Sequence, residues 1–144
     1  MQPLERGEAL RLLGSVSLGR LVFTQQALPA IRPVNHVLDG EDIIIRLSDG
    51  AALASLTRPA GGPKAVVAYE ADVIDPDRHL GWSVVATGYA QFVDDPADVE
   101  RYEHLLRPWV ARSMTAALRI RPELVTGFRL TDGPTDVPSV ASPE

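Results

Sequence analysis

The 144-residue chain has no cysteine. That absence excludes a disulfide scaffold, a thiolate zinc site and a cysteine nucleophile. The chain also lacks a run of 18 apolar residues, so we expect no membrane-spanning segment. Its first residues, MQPLERGEAL, do not show the basic and then apolar pattern of a signal peptide. The sequence therefore predicts a cytoplasmic protein.

Lysine is nearly absent too. Lys64 is the single lysine beside 13 arginines, and 19 acidic residues bring the formal net charge to −5. An acidic chain is a poor partner for nucleic acid, whose binding proteins usually carry a basic face. We therefore expect arginine side chains and backbone N–H groups to hold any bound anion.

The length and composition fit one globular domain with a tail. A hydrophobic fraction of 45% with 23% charged residues is ordinary for such a domain. Residues 131–144, TDGPTDVPSVASPE, are rich in Pro, Ser and Asp. This composition predicts a flexible C-terminal tail after a domain over residues 1–130.

Hydrophobic periodicity predicts a mainly β protein. Apolar residues at helical spacing indicate a first helix over residues 4–14, ended by Gly14, before period-two alternation takes over. Asp39–Gly40 predicts a tight turn between two strands. The expected strands cover residues 19–24, 28–38, 43–47, 64–74, 81–93, 117–121 and 124–130.

Two further helices are expected at the periphery. A short one is predicted over residues 51–57, and a longer one begins with Asp95 at the cap position and Pro96 in the first turn. Hairpins without alternating β and α elements favour a closed antiparallel barrel with the helices outside it. The apolar stripe of the longer helix consists of Val99, Tyr102, Leu106, Trp109 and Val110.

Metal-site and hydrolase signatures are missing. His36, His79 and His104 are far apart in sequence and form no pair at metal-ligand spacing. No serine lies in a Gly-x-Ser-x-Gly elbow. The acidic group Asp72, Asp75 and Asp77 is interpreted as a solvated turn, because it lacks the ligand spacing of a calcium loop.

The segment Arg32-Pro33-Val34-Asn35 interrupts an otherwise apolar strand. Proline removes one hydrogen-bond donor from a sheet, so this part of the strand should be an edge or should bulge. Arg32 and Asn35 offer donors suited to a planar ligand or a phosphate. Solvent-facing polar residues on an edge strand explain the segment equally well.

A second candidate is the stretch IIIRLSDGAALASL, residues 43–56. The start of the predicted helix offers free N–H groups as a phosphate seat, and Arg46 could supply the counter-charge. The alternative is a simple strand–turn–helix unit in which Asp49 caps the helix. A carboxylate at that point would repel a phosphate bound at the same place.

The ordered set of segments is similar to the pyridoxamine 5′-phosphate oxidase-like family of flavin-binding proteins. A leading helix is followed by LGRLVFTQQALPAIRPVNHVLDGEDIIIRL, DGAALASL, VVAYEADVIDPDRHLGWSVVATGYAQFV and RIRPELVTGFRL, together about residues 4–130. The resemblance implies a split β-barrel that forms a homodimer. It also implies flavin mononucleotide (FMN) in a cleft between the two subunits.

The resemblance assigns residues to this cofactor. The RPVN segment would line the isoalloxazine ring, and the residues from Arg46 to Ser48 would hold the ribityl-phosphate region. Trp82 and Ser83 would approach the ring from the partner subunit, although Trp82 also suits a core or dimer contact. Phe128 falls where relatives carry an aromatic residue near the ring. The implied cofactor-binding set is Arg32, Pro33, Val34, Asn35, Arg46, Leu47, Ser48, Ala52, Trp82 and Ser83.

One segment departs from the family pattern. Relatives usually carry Lys or Arg just after the phosphate-binding turn, where this chain reads GAAL at residues 50–53. A charge-assisted hydrogen bond contributes about 1.5–3 kcal/mol, so its loss would weaken phosphate binding roughly ten- to a hundredfold. Candidate replacement cations are Arg46, Arg58 and Lys64. Deazaflavin, haem or an empty pocket are the alternatives to FMN.

The resemblance implies an FMN-dependent oxidoreductase that acts on a small molecule. The flavin would carry the hydride or electron chemistry, and the protein would supply binding and access. The alternative is a non-catalytic flavin-, deazaflavin- or haem-binding module, because one fold hosts several activities. Pyridoxal phosphate handling is a weaker hypothesis, since Arg129 has no histidine partner near the C-terminus. Apart from His36, the implied site offers no evident general acid or base.

Overall fold

A computed structural model of the chain describes residues 1–47, 64–93, 95–106 and 116–131. These residues form seven strands and two helices. The helices are α1, Arg6–Gly14, and α2, Pro96–Leu105. The strands are β1 Gln2–Pro3, β2 Leu18–Gln25, β3 Leu28–Asp39, β4 Asp42–Leu47, β5 Ala65–Asp75, β6 Leu80–Val93 and β7 Ala116–Leu130.

The strands form an antiparallel ring. Around it, β4, β3, β2, β5 and β6 pair in that order, and β7 closes the ring by pairing with both β4 and β6. The short β1 adds to β7. Closure pairs strand edges that would otherwise be open to other chains. The mainly β, split-barrel fold expected from the sequence is therefore confirmed.

The side chains at every second position of the strands point inward and fill the interior of this ring. On β2, Leu21 and Phe23 point inward and are buried, whereas Arg20 and Thr24 on either side of them are exposed. The helix α1 contributes Leu10 and Leu13 to the same core. The period-two pattern that predicted the strands is thus the pattern of burial.

Two local expectations at the start of the chain have different outcomes. The turn at Asp39–Gly40 is confirmed, because Gly40 has a φ of +63° that glycine adopts without strain. The first helix begins at Arg6, so the predicted start at residue 4 is wrong. Leu4 instead donates its backbone N–H to the carbonyl oxygen of Gly127 at 2.8 Å, which continues the pairing of β1 with β7.

The two predicted closing strands are one continuous strand, β7. The prediction of a break between residues 121 and 124 is wrong because a β-bulge accommodates the proline there. Opposite β6, Gly88 pairs with Pro122 while the preceding Thr87 pairs with Leu124, so Glu123 is the extra residue. A bulge tolerates a residue that has no N–H to donate.

The helix α2 begins as predicted, with Asp95 as N-cap and Pro96 in the first turn, although the Asp95 side chain makes no capping hydrogen bond. Tyr102 anchors the helix to the outside of the barrel. Its buried hydroxyl donates to Asp39 Oδ2 at 2.6 Å and accepts from Arg119 at 2.9 Å. The hydrogen bond from Tyr102 lowers the pKa of the Asp39 carboxyl.

Three sequence predictions lie outside the described residues. They are the short helix over residues 51–57, the tail after residue 131 and the part of the apolar stripe at Trp109 and Val110. Within the residues that are described, neither helix has the length and apolar character needed to cross a bilayer.

Candidate functional site

A cleft of about 620 Å³ lies at the end of the barrel where α1 leads into β2. The connecting segment Gly14–Arg20 forms one wall. Pro33 and Val37 of β3, Asp72 of β5 and Leu105 of α2 contribute to the others. This volume falls within the range of roughly 300–1,000 Å³ that is typical of small-molecule sites.

Hydrogen bonds from β3 fix the position of the connecting segment. The backbone N–H of His36 donates to the carbonyl oxygen of Ser17 at 2.9 Å, and the side-chain amide of Asn35 donates to the same oxygen at 3.2 Å. The His36 ring also reaches the carbonyl oxygen of Leu13, at 2.8 Å from Nε2. Two adjacent residues of β3 therefore determine where this wall of the cleft lies.

The His36 side chain is buried, with 3% of its surface exposed. Because the Leu13 carbonyl can only accept, Nε2 carries the proton and Nδ1 accepts from the Tyr69 hydroxyl. Burial lowers the pKa of the His36 imidazole and raises the pKa of the Tyr69 hydroxyl. The pair is therefore neutral near pH 7. His36, the one acid–base candidate of the sequence, has both ring nitrogens engaged in holding the cleft wall.

Glycine at position 19 allows this arrangement. A Cβ on Gly19 would lie 2.5 Å from the Cζ atom of the Tyr69 ring. Such a distance is far inside van der Waals contact, so a side chain at this position would displace the tyrosine. The small residue in β2 thus lets Tyr69 pack across the strand and reach His36.

The outer face of β2 and β5, opposite the face that carries Gly19 and Tyr69, has charged side chains. Arg20 of β2 is the cross-strand neighbour of Glu70 on β5, and its guanidinium lies 3.0 Å from the Glu70 carboxylate. Asp72, two residues further along β5, lies 3.6 Å from the same guanidinium nitrogen. We call Arg20, Glu70 and Asp72 the charged trio. Two of its members, Arg20 and Asp72, line the cleft.

One carboxyl of the charged trio titrates near neutrality. The pKa of Glu70 is raised to about 7, first because partial burial penalises the carboxylate. A hydrogen bond to Asp72 and its negative charge add to this rise, whereas Arg20 opposes it. Glu70 therefore carries a proton for much of the time under neutral conditions.

The sequence prediction missed the charged trio, because Asp72 was grouped with Asp75 and Asp77. The turn interpretation holds for the latter two: the Asp75 carboxylate accepts from the backbone N–H of Asp77 at 3.0 Å. Asp72 belongs instead to β5 and the cleft. The available signal was the spacing of Glu70 and Asp72, since residues two apart on a strand share a face.

The edge prediction for Pro33 is confirmed within the described residues. β4 pairs with β3 over residues 36–39, whereas residues 28–35 pair with β2 on one side. The Pro33 position, which offers no N–H, therefore belongs to a part of β3 with one paired side. Pro33 also lines the cleft.

Three predicted cofactor-binding residues face outward like the charged trio. Pro33 lies opposite Arg20, and Ser83 lies opposite Asp72. Asn35 is two residues from Pro33 and shares its face. On the far side of β6, Ser83 is paired with Phe128 of β7. The structure thus brings Pro33, Asn35 and Ser83 onto one surface that includes the cleft.

Arg46 lies on the outer side of β4. Its neighbour Ile45 packs in the barrel core, whereas Ile44 packs against α2. Because residues two apart on a strand share a face, Arg46 lies on the same face of β4 as Ile44. The cross-strand partner of Ile44, Val37, lines the cleft. The predicted phosphate ligand thus lies on the outer face of β4, one residue beyond Ile45, the last residue of β4 that pairs with β3.

Three further predicted residues are at inward-facing positions of their strands. Arg32 pairs with the buried Leu21, yet its own side chain is exposed. Val34 packs against the core. Trp82 is a core residue with 7% of its surface exposed. Trp82 and Ser83 therefore point to opposite faces of β6, and the structure gives Trp82 the packing role weighed for it from the sequence.

The remaining predicted residues lie outside the described part of the chain. They are Ser48 and Ala52, together with the side chain of Leu47. The GAAL segment that departs from the family pattern belongs to the same stretch. Among the residues that are described, no three potential metal-ligating side chains come together.

Residues 5–129 match the family described as pyridoxamine 5′-phosphate oxidase. A protein of Mycobacterium tuberculosis that is named as uncharacterized is 51% identical over 127 residues. That alignment covers 88% of this chain and 84% of the relative.

Solved structures give the same result. The FAD binding protein from Mycobacterium smegmatis is 32% identical, with a TM-score of 0.68 over 90% of this chain and 100% of that one. A Corynebacterium glutamicum protein, provisionally assigned as a pyridoxamine 5′-phosphate oxidase, is 34% identical. Its TM-score is 0.72 over 90% of this chain and 98% of that one. The chain belongs to the pyridoxamine 5′-phosphate oxidase-like family.

Proposed function

We propose that this chain binds a flavin nucleotide in the cleft beside β3 and acts as a flavin-dependent oxidoreductase on a small molecule. The observation that carries the proposal is its 32% identity, over 90% of its length, to a FAD binding protein. FMN is the cofactor that the sequence resemblance implies, and FAD is the one named for that relative. Both contain the same ring and a phosphate.

The residues on the cleft side fit such a ligand. Pro33 and Val37 offer an apolar wall for a flat ring. Asn35 lies between them in sequence on the same face of β3 and offers the amide oxygen, while its N–H₂ group donates to Ser17. Arg46 supplies a guanidinium suited to a phosphate. The phosphate end belongs near Arg46, away from Asp72, because like charges repel.

A bound flavin would supply the hydride or electron chemistry, while the chain binds and orients it and controls access. Haem is a poorer fit to the described wall, since both ring nitrogens of His36 are already engaged in hydrogen bonds.

A second copy of the chain would complete the site. A row of outward-facing residues crosses five strands through the consecutive pairs Ile31–Val22, Val22–Ala68, Ala68–Thr87 and Thr87–Leu124. Its ends are strongly exposed, with 56% of Ile31 and 60% of Leu124 accessible. Four of its five residues are apolar, and an exposed surface of this kind marks an interaction site. The row lies beside the charged trio and so supports a homodimer whose interface includes the cleft.

Flavin titration of the purified protein tests the cofactor proposal. We expect FMN or FAD fluorescence to be quenched with saturation, and Arg46→Ala to weaken FMN binding roughly tenfold or more because a charge-assisted bond is lost. Arg78→Ala, an exposed change at the β5–β6 turn, is the matched control and should bind normally. Absence of quenching by both flavins would contradict the proposal.

Light scattering tests the dimer. The proposal predicts twice the 15.6 kDa mass of the chain. Leu124→Asp, in the apolar row, should shift the protein towards monomer. Leu28→Asp, at the first residue of β3, should not. A wild-type monomer at micromolar concentration would rule out the shared cleft.

A further inference from the structure

We propose that the charged trio, Arg20, Glu70 and Asp72, selects the charge of the ligand that enters the cleft. The inference rests on the proposed flavin function and deepens it. The trio holds one exchangeable proton, and the presence or absence of this proton sets the net charge of the cleft wall.

The geometry of the trio couples its three groups. Glu70 and Asp72 are two residues apart on β5 and share its outer face, so the negative charge of Asp72 acts on the Glu70 carboxyl. Arg20 reaches both from β2, at 3.0 Å and 3.6 Å. One guanidinium therefore faces two carboxyl groups, so the second carboxylate is not neutralised within the trio.

Among the described residues, β2 and β5 contribute Arg20 and Asp72 as the charged groups on the face of Glu70. Its cross-strand neighbours are Arg20 on β2 and Val85 on β6, and its same-face neighbours on β5 are Ala68 and Asp72. Pro33 lies beyond Arg20 on β3. Besides partial burial, Arg20 and Asp72 are therefore the described charged groups that set the state of Glu70.

The charge of the trio changes in the physiological pH range. With Glu70 protonated, Arg20 and Asp72 cancel and the net charge is zero. The pKa of Glu70 is raised to about 7, so between pH 6 and pH 8 the proton leaves and the net charge becomes −1. Because Arg20 and Asp72 line the cleft, an anionic ligand is favoured by the protonated trio and opposed by the ionised one.

FMN and riboflavin form a matched pair of probes, because they share the ring and differ in the phosphate. We expect FMN binding to weaken about fivefold more than riboflavin binding between pH 6 and pH 8, the effect of one charge at roughly 8 Å in a partly hydrated site. Glu70→Gln and Asp72→Asn should each remove most of this difference. The titration of the FMN phosphate itself persists in both variants and is thereby subtracted.

A measurement without any flavin tests the proton directly. The ¹³C carboxyl resonance of Glu70 should titrate near pH 7 in the ligand-free protein, and in Asp72→Asn its midpoint should move down. A midpoint in the ordinary glutamate range would overturn the proposal whether or not flavin binds.

The binding outcomes separate this proposal from the proposed function. If the FMN–riboflavin difference in pH dependence is the same in wild type, Glu70→Gln and Asp72→Asn, charge selection is wrong and the flavin site stands. If neither flavin binds at either pH, both proposals fail.

Discussion

The two faces of the β2–β5 sheet differ sharply although they consist of alternating residues. Gly19 and Tyr69 face inward, where the glycine makes room for a buried ring. Arg20 and Glu70, the next residue on each strand, face outward and form an ion pair. A single strand pairing thus builds the barrel core on one face and the wall of the cleft on the other.

Burial explains the chemistry of each face. On the inner face, desolvation lowers the pKa of His36, so the hydrogen-bonded His36–Tyr69 pair is neutral. On the outer face, Glu70 is near its titration point because partial burial and Asp72 oppose Arg20. The inner face therefore fixes the position of the wall, and the outer face gives it a charge that depends on pH.

The largest expected effect comes from filling the space under Tyr69. Gly19→Ala places a Cβ 2.5 Å from the tyrosine ring, and overpacking of this kind costs about 2–3 kcal/mol. Urea unfolding should show the loss. The matched control is Gly7→Ala in α1, where a Cβ meets nothing within 4 Å. It should stabilise the protein by about 0.5–1 kcal/mol through helix propensity.

A smaller effect is expected from removing one inner hydroxyl. Tyr69→Phe leaves Nδ1 of His36 without its donor, which costs about 1–2 kcal/mol for a buried polar atom. Tyr89→Phe is the counterpart on the outer face, where 45% of the tyrosine is exposed, and should change stability by less than about 0.5 kcal/mol. Equal losses in chemical denaturation would show that the two faces are not distinguished by burial.

The smallest effect is the pH dependence of stability. The folded-state pKa of Glu70 lies above the ordinary value, so its stabilising contribution is present below about pH 4.5 and is lost as the pH rises to about 7. For His36 the pKa is lowered, so its contribution is present above about pH 6.5 and is lost as the pH falls through the lowered folded-state pKa.

The Glu70 and His36 contributions to stability change in opposite directions with pH. Unfolding of a Glu70 variant at two pH values therefore isolates the Glu70 contribution. Relative to wild type, Glu70→Gln should be more stable at about pH 8 than at about pH 5, because the substitution removes a carboxylate that opposes folding only when ionised. The control is Glu123→Gln, an exposed position at the bulge of β7. A Glu70→Gln difference that does not change with pH would contradict the raised pKa.

The architecture was predictable because burial on these strands follows a period of two. The alternation around Leu21 and Phe23 and the turn at Gly40 are local signals, and the structure confirms both. The unbroken β7 was not predictable, since the bulge opposite Thr87–Gly88 depends on the partner strand. Local sequence near Pro122 indicates only a break.

The cleft was predictable in part. Pro33 stood out because a proline inside a strand is unusual, and it does line the cleft. The charged trio required knowledge of the strand register, because Arg20 and Glu70 are 50 residues apart in the chain. Likewise, Trp82 and Ser83 are adjacent in sequence but lie on opposite faces of β6, which a motif does not reveal.

The most direct test of the account is amide NMR of the labelled protein during FMN addition. We predict saturable shifts on the cleft side, at Leu18, Arg20, Asn35 and Arg46, with little change at Arg78 and His79 on the β5–β6 turn. No shifts, or shifts confined to that turn, would contradict a flavin site in the cleft.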